Sequence, residues 1–249
     1  MGESPPYAVF TLAERPDLGE KVRSLDPKTL PEFMSHGAVN ERCWSGVCSE
    51  FPAFQIAVCE GDEVVAAGNT IPLSRDAENL PDTGWDAALE GGFRDLEEGR
   101  PPTVLSALLA IVGEGHQRRG LSGMVLEAMR SVAARHGLDA LVAPVRSTMK
   151  SLYPLTPMER YVKWRRDSDG LLFDPWMRVH ERLGAKVARV APESMRITGS
   201  ISDWERWAKM RFPESGEYVV EGALVPVSMD VERDIGTYVE PNVWMIHRF

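Results

Sequence analysis

The segment GEGHQRRGLSG, from Gly113 to Gly123, follows the apolar run TVLSALLAIV at 103–112. Two prolines precede that run, and its length and flanks predict a central β-strand. Beyond the segment, Leu121, Met124, Val125, Ala128, Val132 and Ala133 recur at helical spacing. Arg135 and His136 fill the last turn of this helix, and Gly137 stops it. DALVAPV at 139–145 then reads as the next strand. The order strand, turn, helix, strand gives a crossover long enough for a parallel pair.

The turn itself has four glycines, two adjacent arginines and little bulk. The first turn of a helix leaves four N–H groups without helical partners, and together with the helix dipole they attract anions, phosphate above all. Gly113, Gly115 and Gly120 permit close approach or unusual dihedral angles. Arg118 and Arg119 add bidentate donors from the same loop. A phosphate-bearing ligand is the expectation. No GxxxxGK followed by Ser or Thr supports a P-loop nucleotidase. GEGHQR begins like a dinucleotide fingerprint, but Arg118 stands where its third glycine belongs, and repeated βαβ units are missing.

Elsewhere, YAVFTLAE at 7–14 predicts a first strand, and Asp26-Pro27 a helix cap. Residues 54–71 hold two apolar runs around Gly61-Asp62, a hairpin. WDAALEGGFRDLEE suggests a short helix that its two central glycines weaken. In the long insertion after residue 145, Thr156, Pro157 and Glu159 predict a capped helix. Asp174-Pro175 repeats the cap, and Gly184 ends that helix. KVARVA reads as a strand, Ser202 and Glu205 as the cap of a helix bearing Trp204 and Trp207, and the tail as two strand-like runs. The fold class is α+β with a mixed sheet. The expected organisation is a core over 1–190 with an insertion at 146–173, and a C-terminal extension over 191–249 packed on or completing the same domain.

With 249 residues the chain fits one large domain or one domain with an extension. A net charge of -9 argues against general nucleic-acid binding. The start MGESPPYAVF has no secretory pattern, and the apolar runs are too short for a bilayer, so a cytoplasmic location without membrane attachment is expected. Cys43, Cys48 and Cys59 read as free thiols, and no zinc-like spacing suggests a metal.

Gln117-Arg118-Arg119-Gly120-Leu121-Ser122 resembles the acyl-CoA pyrophosphate loop of the GNAT superfamily, the GCN5-related N-acyltransferases: Gln or Arg, two variable residues, Gly, one variable residue, then Gly or Ala. Ser122 departs at the last place. HERLGAKV resembles the family's Tyr-Glu-Lys-x-Gly-Phe segment, with His180 in the tyrosine's place. The resemblance spans about residues 54–190. It implies a GNAT-like mixed central sheet flanked by helices, whose parallel strands at 103–112 and 139–145 splay to admit an acyl-pantetheine arm. It implies that backbone groups near Ile111, Val112 and Gly113 bind that arm, and that Gln117, Arg118, Arg119, Gly120, Leu121 and Ser122, with Gly123 close behind, wrap the pyrophosphate.

His180 would then protonate the departing thiolate, since a histidine with its usual pKa carries a proton near neutral pH. Glu114 or His116, expected at the mouth of the wedge, would accept a proton from the attacking amine, with Glu60 and Glu63 as competitors. Arg146 and Ser147 stand where the family commonly has Asn. Tyr153, Tyr161, Trp164 and Phe173 either line an acceptor site or anchor a loop, and Arg146, Lys150, Arg160, Arg165 and Arg166 either grip a carboxylate or phosphate or face solvent. The implied activity is acyl-CoA-dependent N-acyl transfer, with acetyl-CoA or another acyl-CoA as donor and a small-molecule amine as acceptor, by a monomer or homodimer. Thioester hydrolysis or decarboxylation, long-chain acyl transfer, and acyl-CoA binding without catalysis are the alternatives on the same fold.

Overall fold

The computed structural model describes residues 7–25 and 30–249; the Asp26-Pro27 cap and the MGESPP start lie outside the described residues. In chain order the elements are β1 (Ala8–Thr11), α1 (Gly19–Arg23), α2 (Ala38–Cys43), α3 (Val47–Glu50), β2 (Ile56–Glu60), β3 (Glu63–Leu73), α4 (Gly84–Glu97), β4 (Val104–Val112), α5 (Leu121–Arg135), β5 (Ala140–Val145), α6 (Met158–Tyr161), α7 (Pro175–Arg182), β6 (Lys186–Gly199), α8 (Ile201–Ala208), β7 (Gly216–Tyr218), β8 (Val227–Asp230) and β9 (Ile235–Arg248). The strands form one mixed sheet in the order β1-β2-β3-β4-β5-β9-β8-β7, and β6 pairs with the other edge of β9.

β4 and β5 are parallel, and their pairing is brief. Val104, Leu105 and Ser106 lie opposite Ala140, Leu141 and Val142, and there the register ends. β4 continues beside β3 as far as Val112 opposite Ala66, while β5 continues beside β9 as far as Val145 opposite Val243. The cause is a bulge. Asn69 faces Leu109 and Thr70 faces Ala107, so Leu108 is an extra residue in β4. A bulge bends its strand and increases its twist, and this one sits two residues after the last partner of β5. The carbonyl of Leu108 accepts a hydrogen bond from the Trp85 indole Nε1 at 2.9 Å, so α4 fixes the bend.

The side chains of the sheet divide two ways. Val104, Leu108, Val142, Trp244 and Ile246 join a core with α4 and α8. Leu105, Leu141, Val125 and Met129 join a core under α5 on the opposite face, and Met177 of α7 packs there against Val145 and Met245. The glycines that weaken the α4 prediction serve its packing. A methyl group at Gly92 would run into the Ile71 side chain of β3, so glycine lets helix and strand approach.

Several local expectations shift. β1 is only Ala8–Thr11, because the Glu14 carboxylate accepts from the Thr11 N–H at 2.7 Å and closes a turn there. α6 is a single turn whose N-cap is Pro157; neither Thr156 nor Glu159 caps it. The cap of α8 is Ser200, not Ser202: Ser200 accepts from the Asp203 N–H and Asp203 returns the bond, a capping box shifted by two residues. Asp174 caps α7 as expected, accepting from the N–H groups of Trp176 and Met177. Cys43, Cys48 and Cys59 are free. Among the described residues no helix is long and apolar enough to cross a membrane, and no group of three or more His, Cys, Asp or Glu is placed to hold a metal ion.

Candidate active site

The site begins where β4 leaves β5. Past Ser106, β4 has β3 on one edge and nothing in register on the other. The Gly113 N–H already donates to the Val65 carbonyl at 2.8 Å. Backbone groups along a strand alternate between its two edges. Gly113 and Ile111 therefore turn toward β3, and Val112 turns its N–H and C=O toward the parted side. Of the three residues expected to meet a pantetheine arm, Val112 turns its polar groups to the parted side, Ile111 turns its own to the β3 ladder, and Gly113 gives its N–H to β3 while its carbonyl accepts from the His116 N–H in the loop.

The loop after Val112 winds back on itself. Gly115, Arg118 and Gly120 have φ of 83°, 65° and 79°, the left-handed region that only glycine enters without cost. Alternation of right- and left-handed residues makes the N–H groups converge into an anion-binding concavity. The N–H groups of Arg118, Arg119, Gly120, Leu121 and Ser122 find no acceptor among the described residues, whereas those of Gly123 and Met124 return to the Gly120 carbonyl. Gly120 is the N-cap of α5, without a side-chain cap. Nothing lies within 4 Å of the place a Cβ would take at Gly115, Gly120 or Gly123. The loop thus offers unpaired donors at the positive end of a 15-residue helix with open space in front of them.

The proton-transfer candidates are placed differently. Glu114 is exposed one residue past Gly113. His116 is not at the wedge mouth. Its ring lies 3.6 Å from Glu60 and 4.0 Å from Glu63, and Arg119 joins Glu60 at 3.7 Å. Those carboxylates belong to the β2–β3 hairpin, on the side of β4 remote from β5, so the His116 ring lies away from the parting strands.

His180 lies on the α5 and α7 face of the sheet and is 1% exposed. Its Nδ1 is 3.0 Å from Nε2 of His247, also buried, and Trp176 packs edge-on against it with centroids 4.5 Å apart. His247 faces Leu141 in the register, one residue before β5 loses β4, which sets the pair at the closed end of the wedge. His180 Nε2 is buried and has no hydrogen-bond partner among the described residues. Burial first, and the neighbouring His247 second, lower the His180 pKa to about 3. Burial, with Arg130 nearby, lowers that of His247 to about 4. The charged imidazolium expected from the sequence is thereby corrected: desolvation holds the ring neutral at pH 7, so it can donate an N–H hydrogen bond or accept a proton but does not stand ready as an acid.

The insertion is tied down rather than free. The rings of Tyr153, Tyr161, Trp164 and Phe173 pack on one another. The Asp174 carboxylate accepts from the Tyr161 hydroxyl at 2.8 Å and the Met149 N–H at 2.9 Å. Lys150 is fully buried, its Nζ donating to the carbonyls of Tyr153 and Leu224. Arg165 pairs with Glu181 and Arg166 with Asp169.

Two groups on the α4 face escape sequence reading. Asp86, in the first turn of α4, accepts from the Arg196 N–H at 3.0 Å. Burial raises its pKa to about 6 against the pull of that N–H, with Glu90 and Glu240 adding to the rise. Glu240 is fully buried in β9 and receives Arg146, Tyr238 and Asn242. Neither lies in a motif; Asp86 is set by the packing of α4 on β6, and Glu240 reaches the end of β5 only because β9 is inserted beside that strand.

No family model matches the chain. It is 34% identical, over an alignment of 275 positions covering 98% of this chain and 94% of the other, to the arginine N-acetyltransferase avaD of Aspergillus versicolor. Its fold is similar to the loading GNATL domain of CurA from Lyngbya majuscula, with a TM-score of 0.61 at 18% identity and 97% of each chain covered. It is also similar to the GphF GNAT-like decarboxylase in complex with isobutyryl-CoA, with a TM-score of 0.56 at 15% identity and 97% and 98% covered. The parted strands, the anion-binding turn and the full-length relative lead to one conclusion: the chain belongs to the GNAT superfamily of acyl-CoA-dependent N-acyltransferases.

Proposed function

We propose that this protein transfers the acetyl group of acetyl-CoA to an amine of arginine or a closely related basic amino acid. The observation that carries the donor assignment is the ring of unpaired N–H groups from Arg118 to Ser122 at the start of α5, directly after a strand that has left its neighbour. Diphosphate binds those amides, and the pantetheine arm runs back along the free edge of β4, bonding to the Val112 backbone. The acceptor assignment rests on the full-length relative, an arginine N-acetyltransferase.

Transfer is direct. The neutral amine attacks the thioester carbonyl, the tetrahedral intermediate collapses, and the C–S bond breaks. The proton lost by the amine goes to solvent or to Glu114, at the loop entrance. His180 acts as a neutral ring. The Leu183 carbonyl favours the proton on the far nitrogen of His247, so His180 donates from Nδ1 to His247 Nε2 and keeps a bare Nε2; the sulfur departs as the thiolate and takes its proton from solvent.

Incubation with acetyl-CoA and a panel of amino acids and amines, followed by mass spectrometry of the small molecules and titration of released thiol, tests the reading. An N-acetyl product formed in step with free CoA supports it. Release of CoA at a rate indifferent to every amine refutes it.

A further inference from the structure

The end of β5 carries a cation with an unusual set of partners. Arg146 follows Val145, the last residue of β5 paired to β9. Its Nε donates to Glu240 at 2.9 Å and one Nη to the Gly222 carbonyl at 2.7 Å. Glu240 is saturated: Tyr238 donates to the same oxygen at 2.9 Å, and Asn242 to the other at 3.0 Å. The Tyr238 hydroxyl in turn accepts from the Leu224 N–H. An ion pair whose acid is fully buried is kept only when further hydrogen bonds compensate its desolvation, and here they all converge on the acid. The base is left incomplete. A guanidinium has five N–H donors; two are used, and Nη1 has no acceptor among the described residues. The side chain remains 21% exposed.

The location matters as much as the chemistry. Alternation along β5 sends Val142 into the α4 core, so Arg146 emerges on that face, opposite the α5 and α7 face that carries the donor loop's helix. It stands at the strand end that diverges from β4. Asp86, a partly exposed carboxylate on the same face, feels the charge of Glu240. A fixed guanidinium and a separate carboxylate on the face away from the donor suit an acceptor with both charges.

We propose that Arg146, held in place by Glu240, binds the carboxylate of the acceptor, so that the enzyme selects an amino acid over the corresponding decarboxylated amine. This rests on the acceptor reading above and adds the group that enforces it. A planar fork with free N–H donors matches a carboxylate bidentately, and Glu240 removes the rotamer freedom that binding would otherwise have to freeze.

Arginine and agmatine differ only by the carboxylate and form the test. Initial rates with each are measured for the wild type, Arg146→Lys, and the double variant R146Q/E240Q, which leaves no unpaired buried charge. Acetyl-CoA affinity measured by calorimetry in each variant reports an intact fold. The wild type is expected to favour arginine. In R146Q/E240Q, kcat/KM for arginine should fall about 10–100-fold, chiefly through KM, in line with loss of a charge-assisted hydrogen-bonded pair. Agmatine should barely change, and Arg146→Lys should fall between. An equal loss for both substrates, or a wild type that does not distinguish them, overturns the proposal. If the wild type binds acetyl-CoA yet acetylates no amine, the acceptor reading itself fails and this inference falls with it; a product formed without carboxylate preference sinks the inference alone.

Discussion

Gly120 and Gly137 flank opposite ends of α5, a helix of 15 residues about 22 Å long. They have φ of 79° and 69°, and nothing lies within 4 Å of the position a Cβ would occupy at either. Substituting alanine therefore introduces no clash within the protein, only the backbone cost of a left-handed residue, about 1–2 kcal/mol. For a domain of this size each kcal/mol lowers Tm by about 2–4 °C. Gly120→Ala and Gly137→Ala should thus lose similar stability without ligand. They should differ sharply with it. At Gly120 the new methyl group stands in open space beside the free amides, and a diphosphate held by those amides must come into contact with the same backbone. Acetyl-CoA affinity should drop at least about tenfold, some 1.4 kcal/mol, whereas Gly137→Ala should bind as the wild type does. Thermal unfolding without ligand and calorimetric titration with acetyl-CoA measure the two quantities separately. Equal donor affinity in the two variants would show that the turn at Gly120 does not hold the diphosphate, and the donor assignment would lose its structural basis.

The buried imidazole pair predicts a pH dependence of stability. His180 and His247 are neutral when folded and titrate near 6.5 when unfolded, so the unfolded state binds more protons as pH falls from about 6.5 toward 4, and stability falls with it. Each ring contributes a slope of about 1.4 kcal/mol per pH unit in that window; urea unfolding of His180→Asn should show a shallower decline than the wild type, and an unchanged slope would contradict the burial argument. Ser200→Ala should cost about 1 kcal/mol through loss of the α8 cap, and Ser202→Ala much less, as read by chemical denaturation; the reverse order would restore the cap to Ser202. Asp174→Ala removes an α7 cap that also holds Tyr161 and Met149, and a loss of about 2–4 kcal/mol with faster proteolysis inside 146–173 is expected; cleavage at the wild-type rate would mean that Asp174 does not anchor the insertion.

The donor side of this molecule is readable from sequence because it rests on local rules. A short apolar strand, glycines that admit left-handed dihedrals and an amphipathic helix sit in one continuous stretch, and each is decided by its near neighbours. Asp174-Pro175 is legible for the same reason: a cap and a first-turn proline adjoin the helix that they start. The errors are also local in kind. Ser202 with Glu205 and Ser200 with Asp203 share the same three-residue spacing, and the backbone decides between them: Ser200 is extended and precedes the helix, whereas Ser202 already lies in its first turn.

What sequence does not disclose depends on contacts between distant segments. Whether β4 parts from β5 turns on the extra residue Leu108, and nothing in VLSALLAIV marks that residue; the indole of Trp85, from the helix before the strand, accepts the task of holding its carbonyl. Whether His180 carries charge turns first on its burial and then on His247, 67 residues away. A histidine on an amphipathic helix reads as an ordinary titrating group until a strand from the chain's end supplies a second ring and excludes water. Arg146 likewise reads as one of several insertion cations. It separates from Arg165 and Arg166 only when β9 sets Glu240 beneath it, because an exposed pair such as Arg166–Asp169 is worth little, while a guanidinium fixed by a saturated, buried acid keeps its remaining donors aimed in one direction.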